Sequence, residues 1–522
     1  MRRLGLLFAV ALTALSPVAA ADAAKRKPVV KKQLSVFRSC DGLVAFAERR
    51  TQRFGSDVFA SRRPVAIGGL VAAAPPVANR ESAQGDAQAM PAPAASAPAA
   101  PVAGTDYSTT NVQEAGVDEP DAVKTDGKRL YVAMNNQLHA LDVSGATPRL
   151  LGTLPLDGYG HELLLHGDKL LVLSNTGFSG GIPMPMPSST EPSPAVGAPA
   201  MSDSFVPYVP RTRLTEVDAD EMRAVRTVEL PGTTVGGRMR NGVARIAVAT
   251  PTGVLPSEDA PELRRWMPAM EISRAGSDAT RRRSIAPCTS VRRPEVFAGL
   301  GLLTMLTIDL DRGVEPIDSD AVLADASTVY ASQNRMYLAT ERWIDPEQAQ
   351  AEGAPAGRAT TIHGFDVSKR DETRYVGSGG VRGYLLNQFS LSEHKGALRV
   401  ATTEDPPWVP GNGPDGESES FVTVLDETTT NQLVQVGRVG GLGKGERIYS
   451  VRFVEDVGFV VTFRQTDPLY TLDLSDKRSP RVLGELKIPG YSSYLHPIGD
   501  GLMIGVGQDA DENGRVQGAQ VS

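Results

Sequence analysis

A chain of 522 residues with 41% hydrophobic side chains can bury a large core, and it exceeds one ordinary domain unless it is built from repeats. Its 52 Gly and 38 Pro call for many turns, and a net charge of −7 excludes a general attraction to nucleic acid or anionic lipid. Two cysteines, Cys40 and Cys288, are too few for a disulfide scaffold and form no zinc-binding cluster.

In chain order, residues 1–23 read as a Sec-type signal peptide. Arg2 and Arg3 precede an apolar run over 4–15, and small residues follow at 17–21. The run is shorter than the ~20 residues a membrane span needs. The expectation is a secreted or periplasmic protein with no membrane span. In that compartment Cys40 and Cys288 can pair, tying the N-terminal segment to the body of the fold; the alternative is two separate buried thiols. Residues 24–63 form a basic and helical segment. The helix is expected over 34–54, capped by Ser39 or Asp41, with Leu43, Val44, Ala47 and Phe54 on one face. The Ala/Pro-rich stretch 64–104 lacks large apolar groups and reads as a disordered linker.

Residues 105–522 read as one repeat domain with insertions at 177–210 and 256–294. A short helix is expected near 258–267 in the second insertion, followed by a solvated basic run at Arg281, Arg282 and Arg283. Short runs of Val, Ile, Tyr and Phe between turns point to strands. Six units can be laid out, over 130–173, 213–249, 303–340, 360–402, 421–463 and 469–507. Each carries an aspartate after an apolar run: Asp142, Asp218, Asp309, Asp366, Asp426 and Asp473. A carboxylate there can accept backbone N–H groups as the chain reverses, a structural role. The fold class is all-β, a β-propeller of four-stranded blades. The fixed order of parts argues against a two-sheet sandwich. A seventh unit begins at 516–521 and does not finish. Either the first strands complete it or the protein continues, with seven or eight blades in all.

The runs TNVQEAGVDEPD (110–121) and VKTDG (123–127) resemble the opening signature of the secreted bacterial and archaeal C-terminal β-propeller domain proteins. So do NQFS (387–390), LRVATT (398–403), GERIYSVRF (445–453), DPLY (467–470) and GYSSYLHP (490–497). The resemblance implies a secreted propeller whose biochemical role is not established, so it carries over no catalytic residues.

Two stretches are candidate sites. Glu114, Asp118, Glu119 and Asp121 lie before the first strand and can bind a ligand, partner or cation at the channel mouth. Asp509, Asp511, Asn513 and Arg515 match the first half of a Ca2+ loop, but Gln520 stands where an EF-hand needs glutamate. The choice there is between a Ca2+-binding hairpin loop and a polar turn. His161, His363, His394 and His496 lack metal spacing and read as local structural histidines. Two functions remain: a non-enzymatic scaffold for a protein or cell-envelope ligand, with no nucleic acid, or a metal-dependent hydrolase at the propeller mouth.

Overall fold

The computed structural model describes residues 34–54, 112–177, 210–250, 268–294 and, apart from 345–356 and a few briefer stretches, 299–522. The signal peptide, the linker and the helix expected near 258–267 lie outside the described residues.

Besides a two-stranded ribbon of Trp408–Val409 and Gly413–Pro414, seven sheets with antiparallel cores follow one another along the described residues. The first takes Val123–Thr125, Arg129–Met134, Gln137–Asp142 and Arg149–Pro155, hydrogen-bonded in that order. The second is built on Tyr159–His166, Lys169–Thr176, Arg211–Asp218 and Arg223–Pro231. The third is built on Thr233–Arg240, Val243–Thr250, Leu302–Asp309 and Asp318–Leu323. Ala326–Ala331, Arg335–Ile344, Gly357–Asp366 and Arg374–Arg382 make the fourth. The fifth takes Leu391–His394, Ala397–Glu404, Glu419–Glu427 and Leu433–Leu442. Arg447–Val454, Val457–Phe463, Asp467–Asp473 and Arg481–Ile488 make the sixth. Tyr491–Gly499, Leu502–Ala510 and Val516–Val521 form a three-stranded seventh.

First strands of successive sheets pack side by side, as Thr233–Arg240 does on Ala326–Ala331 and Arg447–Val454 on Tyr491–Gly499. This is the arrangement of propeller blades around an axis. It leaves the middle strands covered on both faces, which explains why Leu302–Asp309 is buried along its whole length. Large exposed apolar side chains gather instead on the first blade (Met134, Leu150, Leu151) and the last two (Leu483, Leu486, Leu502, Val521).

Five of the six expected units prove to be half a blade out of frame. The unit at 213–249 joins the outer strands of the second blade to the second strand of the third, and the four after it are cut likewise. The unit at 130–173 starts on the second strand of the first blade and runs into the second blade. Within the unit expected over 360–402, Gln388–Ser390 form a short turn of 3-10 helix rather than a strand. The first strands form a blade of their own and do not complete the seventh.

The periodic aspartate, in contrast, falls at or next to the end of the third strand in six blades. Its Oδ1 accepts the backbone N–H of Ser144 on Asp142 at 3.0 Å, of Ser368 on Asp366 at 2.9 Å and of Ser475 on Asp473 at 3.0 Å. Asp218 and Asp309 do the same for Glu221 and Asp311. Asp426 instead receives Lys477 of the next blade at 2.7 Å. Neighbouring blades also need close backbone approach. A Cβ on Gly379 would sit 2.2 Å from the Leu433 carbonyl oxygen, and one on Gly437 would sit 2.2 Å from that of Lys477. Only glycine leaves room for the next blade at these outer strands.

The N-terminal segment and the second insertion close two outer edges. Met270 and Ile272 of the hairpin Ala269–Arg274 and Thr280–Ser284 are buried where it extends the second blade, with the basic run on its outer strand. Arg281 and Arg282 are exposed; Arg281 pairs with Glu315, and Arg283 donates to the Pro316 carbonyl at 2.7 Å. Val291–Pro294 extends the third blade and receives Leu34–Val36 as a final strand. The helix is therefore shorter than expected, Cys40–Phe54, because Leu34 to Val36 gain ladder bonds as a strand. Ser39 caps it, accepting the Gly42 N–H at 3.1 Å. Leu43, Phe46 and Ala47 form its buried face, packed over Val291, Leu302, Ala321 and Leu323. Cys40 and Cys288 are joined in a disulfide with Cα atoms 5.1 Å apart.

Candidate functional site at the propeller axis

The segment 112–121 runs along the inner edges of several blades before entering the first. Asp118 exchanges backbone hydrogen bonds of 2.8 Å with Met239, and Asp121 pairs with Leu163. The segment thus acts as a strap across the third and second blades. At its start it reaches the fourth and fifth. Glu114 accepts the Tyr330 hydroxyl at 2.6 Å, and Gln113 Nε2 donates to the carbonyls of Gln388 and Leu391 at 3.1 and 2.7 Å.

The four acids of this segment part to different tasks. Glu119 accepts from the Gln113 N–H at 3.1 Å and from Gln388 Nε2 at 3.0 Å, and it lies 3.7 Å from Arg238. Asp118 holds the buried Lys124 at 2.7 Å. Burial pushes the carboxyl groups of Glu114 and Asp118 up from their ordinary values, against the pull of Tyr330 on the first and Lys124 on the second. Asp121 is exposed. Among the described residues no three His, Cys, Asp or Glu side chains come together as metal ligands would.

Around Glu114 and Glu119 stand three arginines that the sequence did not single out. Arg238 is 6% exposed, Arg399 4% and Arg452 7%. Arg238 donates to Gln388 Oε1 at 3.0 Å, and its burial lowers the guanidinium pKa despite Glu119. Arg399 donates to Ser392 Oγ at 2.8 Å and to the Glu455 carbonyl; burial brings it down to about 10. The Arg452 guanidinium lies 5.3 Å from the centroid of the Phe389 ring, whose edge meets Tyr494. Buried polar atoms are normally paired. Here Arg452 Nη1, Arg399 Nε and Gln113 Oε1 are buried without a hydrogen-bond partner among the described residues. A cluster of such atoms beside aromatic rings is equipped to receive polar groups from outside. Period and motif spacing could not reveal these arginines, because they lie on three different blades, more than 50 residues apart in sequence.

The second candidate stretch lies elsewhere, on the hairpin between Leu502–Ala510 and Val516–Val521. Asp511 accepts the Arg515 N–H through Oδ1 at 2.9 Å, and Asp511 N–H reaches the Arg515 carbonyl at 2.9 Å. Asp509 pairs in the ladder with Gly518, and Asn513 lies outside the described residues. The histidines have local partners: His161 meets Ser174 at 2.8 Å, His363 Ser378 at 2.7 Å, His394 Asp456 at 3.0 Å and His496 Tyr494 at 3.2 Å.

Six four-stranded blades and a three-stranded seventh, strapped along the axis, define a β-propeller. Residues 107–522 match the β-propeller domain family, and the chain belongs to it. It is 29% identical to an uncharacterised protein of Archaeoglobus fulgidus over 77% of its own length and 67% of the relative's. A second uncharacterised protein, from Methanocaldococcus jannaschii, is 49% identical over 26% of this chain and 20% of that relative. The chain thus spans about two thirds of one relative and a fifth of the other. Among the described residues no helix is long and apolar enough to cross a membrane.

Proposed function

We propose that the protein is an exported, non-enzymatic binding scaffold that takes a protein or cell-envelope ligand at the axial cluster. The observation that carries this reading is the unpaired, buried Arg452 Nη1 beside Phe389, with Arg399 Nε and Gln113 Oε1 in the same state. Each such atom costs about 1–3 kcal/mol, a cost that a polar ligand group relieves. The cluster is assembled from the stretches 110–121, 387–390, 398–403 and 445–453, which also carry the family resemblance. Glu119 serves it from 3.7 Å beside Arg238 and Glu114 by holding Tyr330, and the exposed Asp121 is free to meet a partner directly. Export rests on residues 1–23 and agrees with the Cys40–Cys288 bridge, since disulfides persist in oxidising compartments.

The test is capture from envelope extract by immobilised protein, with Arg452→Met beside the wild type. The substitution keeps the length and removes the charge. The expected result is a reproducible partner held by the wild type and reduced about tenfold or more in the variant, the usual weight of one charge-assisted contact. Equal retention by a variant that melts like the wild type moves the ligand away from the axis, and turnover in a hydrolase panel overturns the non-enzymatic reading.

A further inference from the structure

The blades repeat, so the clefts between them can be compared position by position. The cleft between the third and fourth blades is bordered by Arg240, which ends a first strand, and by Val243 and Arg245 of the second strand. Across from them stands Val367, one residue past the periodic Asp366. The cleft between the fifth and sixth blades repeats these places. His394 ends the first strand, Ala397 and Arg399 take the places of Val243 and Arg245, and Leu474 follows the periodic Asp473. The turns agree as well, with positive φ at Asn241 and Lys395 and at the glycines that follow them.

The two clefts differ in where the arginine goes. Arg245 crosses to the fourth blade, donating to Thr373 Oγ1 at 3.3 Å and to the Glu372 carbonyl at 3.3 Å. It fills the space, and the cavity left there is about 20 Å3. Arg399 stays lower, on Ser392 and the Glu455 carbonyl, and does not reach the turn at 474–477. The cavity left is about 250 Å3, and Arg399, which lines it, keeps Nε unpaired. Lys477 stands at its rim, placed there by the close packing of its carbonyl on Gly437. Ala397, Val424 and Leu474 give the cavity an apolar wall. Asp456 already holds His394 at 3.0 Å and Lys395 at 2.7 Å, and Asp476 accepts the Arg478 N–H at 2.9 Å. Asp456 is therefore engaged. Lys477 is held by Asp426 at 2.7 Å and has a further N–H to give, so Arg399 and Lys477 are the cations an incoming group meets.

We propose that the cleft between the fifth and sixth blades binds a small organic anion, a carboxylate or phosphate on a short apolar group. Arg399 and Lys477 receive the charge, and Ala397, Val424 and Leu474 receive the apolar body. An ammonium would leave Arg399 Nε unanswered, and a neutral sugar would accept from it without balancing its charge. The cleft shares Arg399 with the axial cluster, while Lys477 belongs to the cleft alone, so a Lys477 variant tests this proposal and Arg452→Met tests the axial one.

The experiment is calorimetric titration of the whole chain with phenyl phosphate, benzoate and inorganic phosphate. Saturable binding of phenyl phosphate or benzoate is expected, with inorganic phosphate weaker because it lacks the apolar body; the two share a phenyl body, so the tighter one identifies the head group. Lys477→Glu reverses the charge at the rim and is expected to weaken the tighter ligand about tenfold in a variant that melts like the wild type, since it also breaks the pair with Asp426. Lys128→Glu, on an exposed turn of the first blade, is expected to leave it unchanged. Absence of saturable binding by both organic probes overturns the proposal. So does equal affinity of the wild type and Lys477→Glu.

Discussion

Replacing Cys288 by serine is expected to release residues 34–54 from the third blade before the ring itself unfolds. The bridge closes a loop of 248 residues, and a cross-link of that span contributes about 2–5 kcal/mol through the restricted unfolded chain. The segment it holds has modest support otherwise. Leu34–Val36 pairs with a strand of four residues, Val291–Pro294, and Leu34 N–H reaches the Tyr375 hydroxyl at 3.1 Å. Leu43, Phe46 and Phe37 bury their side chains against Val291 and Leu323, with Arg293 over both phenyl rings at 4.9–5.1 Å. Local elements of this kind open at a lower free energy than the central strands. Limited proteolysis of Cys288→Ser, or of reduced wild type, should cut within 34–54 at least tenfold faster while the fragment beyond residue 112 stays intact. Equal protection with and without the bridge would show that packing alone holds the segment.

The second large effect is acid sensitivity centred on His363. This imidazole is 1% exposed in the fourth blade, with Nδ1 2.7 Å from Ser378 Oγ and Nε2 3.4 Å from Thr340 Oγ1. Burial takes its pKa from the ordinary 6.5 down to about 3. The folded state therefore keeps it neutral while the unfolded chain protonates it. Stability from this group is fully present above pH ~6.5 and is lost as pH falls toward 3, at ~1.4 kcal/mol per pH unit. The carboxylates titrate in part of this window too, so the group is isolated by difference. Denaturant unfolding of wild type and His363→Gln should show a stability gap that shrinks with that slope between pH 6 and pH 4. A gap independent of pH would mean that the imidazole is charged, or solvated, in the fold.

The sequence made the fold class legible and misplaced the blade frame, for a physical reason. The long connections, at 177–210, 251–301, 345–356 and 405–418, look like boundaries, so the expected units end just before them. In the fold every one of these joins a second strand to a third within a blade. The true boundaries are short, such as 156–158 or 489–490, and antiparallel strands read alike from any starting point. The aspartate was legible because it marks one chemical event, the turn after the third strand. Glu114 and its neighbours stood out as a charge cluster. Arg238, Arg399 and Arg452 did not, since arginines in three distant strands carry no pattern until the blades bring them to one strap.

That long loops fall on one face sharpens the functional question. Connections between second and third strands lie opposite those between first and second, so the protein has an elaborated face and a compact one. The axial account puts the ligand at the strap, whose Ala115 carbonyl accepts from Gln333 at 3.2 Å on the compact face. Gln333 and Glu417 are both exposed, the first in a turn between first and second strands and the second between second and third. A photo-reactive residue at each position, exposed to envelope extract, gives the most direct test of the central claim. The account predicts a reproducible cross-linked partner from position 333 that Arg452→Met abolishes. The same partner cross-linked from position 417 alone, indifferent to Arg452→Met, would contradict it.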